Sequence, residues 1–497
     1  MDYADSWDYG VAIIPFEGYA PDADPTMPGI FTNCANTVPT RKGFTGAPSP
    51  QTTLLPALAS ACQGAAALRK LDDTTRLFAG TATKLYEVVS NAWTDRTRAS
   101  GGDYTAASDI RWRFAQFGNV SLAAIKSDVL QSSTSGAFAN LTAPKASIVE
   151  TVNQFVFLFD TNEGTFGDSP QRWWCSAIGS ETDWVPAVAT QCATGTLLSA
   201  PGKITAGRRF GDGIIAYKQN SMYRGIYVGA PAIWEFTQVP GEIGALSQET
   251  VVNIGTLSDP RHIFMGADDF YTFDGARPVP IGSALKETVF GEINRSYQHL
   301  SVTLHDRINS RVYFYYPGSA STILDKCVVY NYKTGRWGRD DRSIEVAIDY
   351  IASSMTYEDV GDLYSTYADL PSISYGSAFW TAGFPIPAIF NTAHLVQTLT
   401  GVSTTSSITT GDFGDDTKFT LFSRAKLKYL TAPTSSEMVN YYRVNLGDSL
   451  ITDQTTVQSS SRFDVLRSAR WHRMRFDFSG DWEATGFTPD VREDGLE

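Results

Sequence analysis

Apolar residues in this chain are gathered into short runs, each closed off by Gly, Asp, Asn or Pro, and this punctuation constrains the fold more than any other feature. Phe155-Val156-Phe157-Leu158-Phe159, Gly213-Ile214-Ile215-Ala216-Tyr217 and Val312-Tyr313-Phe314-Tyr315-Tyr316 show the pattern. Each run is too short for a helix, and its aromatic and β-branched side chains suit a pleated surface. The residues between runs are turn formers. The expectation is an all-β chain with little helix. Ala65-Ala66-Ala67-Leu68-Arg69-Lys70-Leu71 has helical propensity, but it stands just before another strand and is read as a strand.

A repeat is laid over these runs. Trp93 follows Tyr86 by seven residues, and the same spacing separates Tyr227 from Trp234 and Tyr330 from Trp337. Tyr271 opens a matching strand and turn, with Pro278 where Trp would stand. The sites at Tyr227, Tyr271 and Tyr330 lie 44 and 59 residues apart, near the 40–50-residue period of propeller blades. A four-stranded blade cannot bury both faces alone, so blades must stack around an axis. Segments around Trp112–Leu122 and Phe155–Trp174 supply further blades between the first two sites. A chance alignment of common aromatics is the competing reading.

The pattern divides the chain into four. Residues 1–50, rich in Pro, Gly, Asp and Thr, read as an extended arm that lies on the body or reaches a neighbour and orders on assembly. Residues 51–345 carry the β-propeller blades. Residues 346–415 are rich in Ser, Thr, Gly and Tyr and read as a loop-rich insertion or β-rich peripheral domain. Residues 416–497 return to strands that could close the propeller.

Charge narrows the partners. Forty Lys and Arg against 53 Asp and Glu give a formal charge of −13, whereas tight duplex binding draws on a basic face. The densest basic cluster, Arg462, Arg467, Arg470, Arg473 and Arg475, is read either as ion-pair partners for nearby acids or as an interface or phosphate contact. The five cysteines, Cys34, Cys62, Cys175, Cys192 and Cys327, include no CxxC. With no basic, apolar leader visible at Met1-Asp2-Tyr3-Ala4-Asp5, they read as buried free thiols of a protein made in a reducing cytoplasm. No apolar run is long enough to span a bilayer as a helix.

Catalytic signatures are absent or only apparent. His262, His299, His305, His394 and His472 form no H-x-x-x-H pair, leaving zinc without a local nucleus. No phosphate-binding glycine loop or GxSxG occurs. Ser283-Ala284-Leu285-Lys286 and Lys333-Thr334-Gly335 match two penicillin-binding motifs, but the S-D-N element is missing. Ser180-Glu181-Thr182-Asp183-Trp184 falls short of a sialidase Asp-box. A glycosidase carboxylate pair drawn from distant positions stays open as an alternative. Asp268, Asp269 and Asp274, like Asp412, Asp415 and Asp416, read as solvated turn acids or as calcium ligands without a calcium-loop spacing. The residues thus point to a protein that is not an enzyme and needs no cofactor.

Several stretches carry a resemblance: Asn36-Thr37-Val38-Pro39-Thr40, Arg111 through Gly118 (RWRFAQFG), Trp174 through Gly179 followed by Asp183-Trp184, Met222 through Gly229, and Pro280-Ile281-Gly282-Ser283. Over residues 15–340, and weakly at the end, the chain resembles the nozzle class of short-tailed bacteriophages (tail tubular protein B, or DNA-stabilisation proteins). The resemblance implies a propeller body with a nozzle or tip domain and six copies around a tail axis. It also implies contact with the tail adaptor, fibres or other tail proteins, and a conduit that retains and then passes the genome in the virion. Duplex DNA would slide past an acidic or neutral wall without tight binding. It implies no catalytic residues. The Ser/Thr-rich middle departs from the pattern. The alternative is a carbohydrate- or receptor-binding propeller for host attachment, with a glycosidase third.

Overall fold

A computed structural model describes residues 13–351, Thr366 and residues 385–496. It is all-β, and among the described residues the α-helix is confined to Lys286–Glu292. Among the described residues, six four-stranded antiparallel sheets stand separately, and a seventh set of four strands opens into a ten-stranded sheet. In chain order these sets span residues 65–95 (blade 1), 113–140 (blade 2), 145–196 (blade 3), 204–238 (blade 4), 251–280 (blade 5), 302–339 (blade 6) and 344–401 (blade 7).

Their first strands form the ring. Ala65–Arg69, Arg113–Phe117, Lys145–Val152, Ile204–Phe210, Val251–Asn253, Val302–Asp306 and Ile344–Tyr350 each pack against the next, and the last packs back on the first. The propeller expected from the short runs is therefore present. Ala65–Arg69 is a strand, as its position required.

The hydrophobic clusters lie between blades, which is why the blades stack. Phe155, Phe157, Phe159 and Trp173 of blade 3 share one cluster with Ile214, Tyr223 and Trp234 of blade 4. Phe210, Ile215 and Tyr217 of blade 4 share another with Phe264, Tyr271 and Phe273 of blade 5. Each fully buried ring removes apolar area worth about 1.5–3 kcal/mol from water, and no blade could hide that area alone. Tight contact also selects glycine. Gly80 lies under the Trp112 indole, where an added Cβ would meet the ring at 2.3 Å.

The Tyr–Trp spacing has a consistent structural meaning. All of its sites are hairpins between the third and fourth strands of a blade. Tyr227 faces Trp234 across one hairpin and Tyr330 faces Trp337 across another. In blade 1 the register is offset, and Trp93 faces Val88. In each case the Trp reaches the preceding blade: Trp93 meets Phe390 at 6.0 Å, Trp234 meets Phe157 at 4.8 Å and Trp337 meets Phe270 at 4.9 Å. The spacing marks a knob that fastens one blade to the next.

The terminal segments behave differently from the expectation. Residues 13–50 are not a free arm awaiting a neighbour. Ile14–Pro15, Gly18–Tyr19, Ile30–Ala35, Thr37–Pro39 and Phe44–Gly46 pair within the chain's own sheets. The propeller is closed by Ser49–Thr52, which pairs with Val396–Gly401 as the outer strand of blade 7. The C-terminal strands do not close it; they build a second body. There the ten-stranded sheet runs on from blade 6 through Thr37–Pro39 and Phe44–Gly46 to Glu483–Leu496, Lys418–Thr431 and Arg462–Ala469. A seven-stranded sheet packs against it through Phe16, Phe31, Phe44, Phe422, Phe476, Phe478, Trp482 and Phe487.

Residues 346–415, read as a loop-rich insertion, contribute strands to blade 7 and Thr405–Thr410 to the seven-stranded sheet. Their β-branched content suits those places, while the intervening 352–365 and 367–384 lie outside the described residues. A cross-link from Asp22 ties the N-terminal segment to the propeller. Its carboxylate accepts from Glu287 N at 2.6 Å and from Thr288 N and Oγ1 at 3.1 and 2.6 Å.

Candidate functional site

The first strands of all seven blades face a cavity of about 380 Å³ on the propeller axis, within the size range of small-ligand sites. Its wall is charged where most inner strands are apolar. Arg113 comes from blade 2, Glu150 from blade 3, Arg208 and Arg209 from blade 4, Glu249 from the turn entering blade 5, His305 and Arg307 from blade 6 or just after it, and Asp349 from blade 7.

Three carboxylate–guanidinium pairs organise this wall. Arg113 Nη2 donates to Glu249 Oε2 at 2.8 Å, a bond between parts of the ring that are not neighbours, so it bridges the axis. Arg208 Nη1 stands 3.6 Å from Glu150 Oε2, and Arg307 Nη2 stands 3.5 Å from Asp349 Oδ2. Backbone fixes the arginines further: Arg113 Nη1 donates to Arg111 O at 3.1 Å and Arg208 Nη2 to Gln248 O at 2.9 Å. Gln248 clasps the inner strand of blade 4 by accepting from Gly207 N and donating to Gly207 O. The pairs differ in access, since the Arg307 side chain is 61% exposed and Arg208 33%.

Burial pushes the Glu150 and Asp349 carboxyls up, with Arg208 and Arg307 respectively opposing it. Burial also holds His305 down to about 4, helped by Arg307, so the ring is neutral at pH 7. His305 Nε2 lies 3.2 Å from Tyr332 Oη while its Nδ1 has no partner. Arg113 Nε and Arg208 Nε are likewise buried and unpartnered. The cavity wall therefore sets guanidinium groups beside three acids that could accept from a ligand or exchange a proton with it.

The arginines singled out in the sequence lie elsewhere, on the second body. Arg462 stands 3.5 Å from Asp464, Arg473 Nη2 2.8 Å from Asp412 and Arg475 Nη2 2.8 Å from Asp477, and Arg467 pairs with Asp453. Arg470 lies over the Phe419 ring at 5.2 Å. The acidic turns are occupied by protein donors. Asp269 Oδ1 accepts from Phe270 N and Gly282 N, Asp412 is held by Arg443 and Arg473, and Asp416 accepts from Trp471 Nε1. Lys333-Thr334-Gly335 forms the turn between the last two strands of blade 6. All five cysteines are buried and free. Among the described residues, no helix is long and apolar enough to cross a membrane.

Sequence reasoning missed the cavity residues. The available signal was positional. The first strands of blades 2 and 3 each carry a charged residue beside apolar ones, as in Trp112-Arg113-Phe114 and Ile148-Val149-Glu150.

No protein-family model matches the chain, and no curated protein matches it. Among solved structures it is similar to YCF48 from Cyanidioschyzon merolae, with 10% identity over 61% of this chain and 93% of that one and a TM-score of 0.35. It is similar to exo-β-1,3-galactanase from Phanerochaete chrysosporium in a galactose complex, with 9% identity over 83% of this chain and 100% of that one and a TM-score of 0.28. The extracellular domain of the one component system BT4673 from B. thetaiotaomicron gives 8% identity over 84% of this chain and 47% of that one, with a TM-score of 0.37. These are likenesses of fold alone. The expectation that the chain is not an enzyme is withdrawn, since a glycosidase stands among these neighbours.

Proposed function

We propose that the chain is a binding propeller whose axial cavity takes a saccharide. The observation that carries this reading is the convergence of charged side chains from six of the seven blades on one cavity, where guanidinium donors and carboxylate acceptors line one wall. Sugar hydroxyls both donate and accept, so they match such a mixed wall better than an apolar ligand would. Calorimetric titration with a panel of defined oligosaccharides tests it, with product analysis in the same tubes to register any cleavage. Ala347, on the wall in the first strand of blade 7, is the control position. Ala347→Trp fills the cavity and is expected to abolish binding. Binding that survives this substitution in a folded protein overturns the assignment.

A second reading, a ring-forming tail subunit, is favoured by the edges of the second body. Ile451–Val457 and Arg462–Ala469 are terminal strands of their sheets, and Ile451, Val457 and Leu466 are exposed on them. Exposed apolar side chains on terminal strands are surfaces on which chains assemble. On this reading six copies form a virion tail ring that meets an adaptor and fibres and conducts the genome. Mass measurement in solution tests it: a hexamer is expected, and a monomer at high micromolar concentration sinks it.

A further inference from the structure

The connection between the third and fourth strands of blade 3 is out of proportion to its counterparts. It runs over residues 176–192, whereas the same connection takes two to five residues in blades 1, 2, 4, 5 and 6. Within it Val185-Pro186-Ala187-Val188-Ala189, five consecutive apolar residues, is exposed throughout, Val185 at 71% and Val188 at 55%. A protein surface tolerates scattered apolar residues, but an unbroken exposed run is a fault unless a partner covers it. The run is also held in place. Trp184 is buried with its Nε1 donating to Glu181 O at 2.8 Å, Val185 N donates to Asp183 Oδ1 at 3.1 Å and Ala187 N to Cys192 O at 3.1 Å. A loop fixed in this way loses little entropy on docking. Glu181 and Asp183, just before the run, give that end of the loop a negative charge.

The second body carries a face of the opposite kind. Along Lys418–Thr431, Ala425 and Leu427 are buried while Lys426, Lys428 and Leu430 point outward. Arg462 stands directly opposite Lys426 on the terminal strand, a like-charge pair that weakens a sheet left to itself. Asp464 takes Arg424 at 2.7 Å and Arg462 at 3.5 Å, and among the described residues Lys426 and Lys428 pair with no carboxylate. Leu430 and Leu466 are exposed on the same face. This sheet runs on from blade 6, three places round a seven-blade ring from blade 3, the largest separation such a ring allows. We propose that the loop at 185–189 of one copy docks on the basic face at Lys426, Lys428 and Arg462 of a second copy. Valines meet leucines, Glu181 meets the lysines, and the contact joins two unlike surfaces head to tail. It rests on the reading of the chain as a subunit that assembles.

Sedimentation of the full chain over a concentration series tests it. Val185→Ser/Val188→Ser on the loop and Lys426→Glu/Lys428→Glu on the face, with Leu430→Ser/Leu466→Ser as a second face variant, change exposed positions and are checked for folding by their melting transitions. Each is expected to weaken self-association at least about tenfold. The loop variant keeps its face and the face variant keeps its loop, so an equimolar mixture is expected to form one contact and stop at a mixed dimer. A native chain that assembles while the folded loop variant or both folded face variants keep its full mass, or a mixture that gives no mixed dimer, overturns this contact and leaves the assembly reading standing. Retention of duplex DNA that Lys426→Glu/Lys428→Glu loses, with the assembly mass unchanged, assigns the face to nucleic acid and overturns the contact as well. A native chain that stays monomeric at high micromolar concentration overturns the assembly reading and this inference with it.

Discussion

The propeller and the second body are made from the same kinds of strand, yet they draw on the chain in opposite ways. Blades 1 to 6 each come from one contiguous stretch, and their strands pair with sequence neighbours. The second body takes Ile30–Ala35 and Phe44–Gly46 from one end of the chain and 405–496 from the other, so the pairs that join its two parts span more than 350 residues, as between Cys34 and Ile408. Blade 7 has a foot in each regime, with three local strands and a fourth, Ser49–Thr52, brought from far away. Local pairing costs little loop-closure entropy, whereas distant pairing must be stabilised by a large shared core. Phe16, Phe31 and Phe44 meeting Phe476 and Phe487 is that core.

The largest expected effect comes from cutting the link between the two regions. Deleting residues 13–52 removes the closing strand and five further strands of the second body. It is expected to eliminate cooperative unfolding, read by near-ultraviolet circular dichroism and a denaturant melt. A truncated chain that still melts in one sharp transition would show the propeller to be independent of its closure.

Within the propeller, Trp234→Ala and Trp337→Ala each remove a knob from the preceding blade and leave a cavity. Each is expected to cost about 3–5 kcal/mol, measured as a shift of the urea midpoint at unchanged slope. A loss under about 1 kcal/mol at both sites would mean that the inter-blade rings are not what fastens the ring of strands.

pH sharpens the comparison, because both regions bury a neutral histidine. Burial depresses His262 in the propeller and His472 in the second body to about 4, although backbone carbonyl contacts from Arg209 and Thr420 favour the charged form. The unfolded chain, with histidines near 6.5, binds more protons between pH 6.5 and 4. Stability is therefore fully present above about 6.5 and falls as pH drops through that window, by up to about 3 kcal/mol per histidine. Raised acids such as Asp340 and Glu150 act in the other sense, adding stability at low pH that is lost as pH rises. Denaturant melts between pH 4 and 7 should show a slope that His262→Gln and His472→Gln each reduce. A slope that neither changes would assign the acid sensitivity elsewhere.

The smallest effect is expected at the edge of the second body. Leu466 is 74% exposed, and Leu466→Ser should move stability by no more than about 0.5 kcal/mol. If the edge assembles copies, the same change lowers the oligomer mass instead, and sedimentation reads that difference directly.

The legibility of the molecule follows the same division. The hairpins were visible because Tyr227 and Trp234, or Tyr330 and Trp337, are joined by one turn, and strand period and turn residues are local properties. The closing strand was not visible. Ser49-Pro50-Gln51-Thr52 is polar and carries a proline, the composition of an arm, and it becomes a strand only because Val396–Gly401 presents an unpaired edge. Residues 346–415 misled for the same reason, since Ser- and Thr-rich runs have weak apolar alternation although β-branched Thr fits a strand well.

For the candidate site the limit is sharper. Local punctuation in the sequence determined the strand class, the blade period and the Trp knobs, because each depends on residues a few positions apart. The tertiary structure alone decided that Arg113 meets Glu249, that Glu150 meets Arg208 and that His305 joins them around one cavity. Those pairs lie on different blades, and nothing in either local sequence records the partner. Ring closure brings them together, and ring closure is set by inter-blade burial and one borrowed strand.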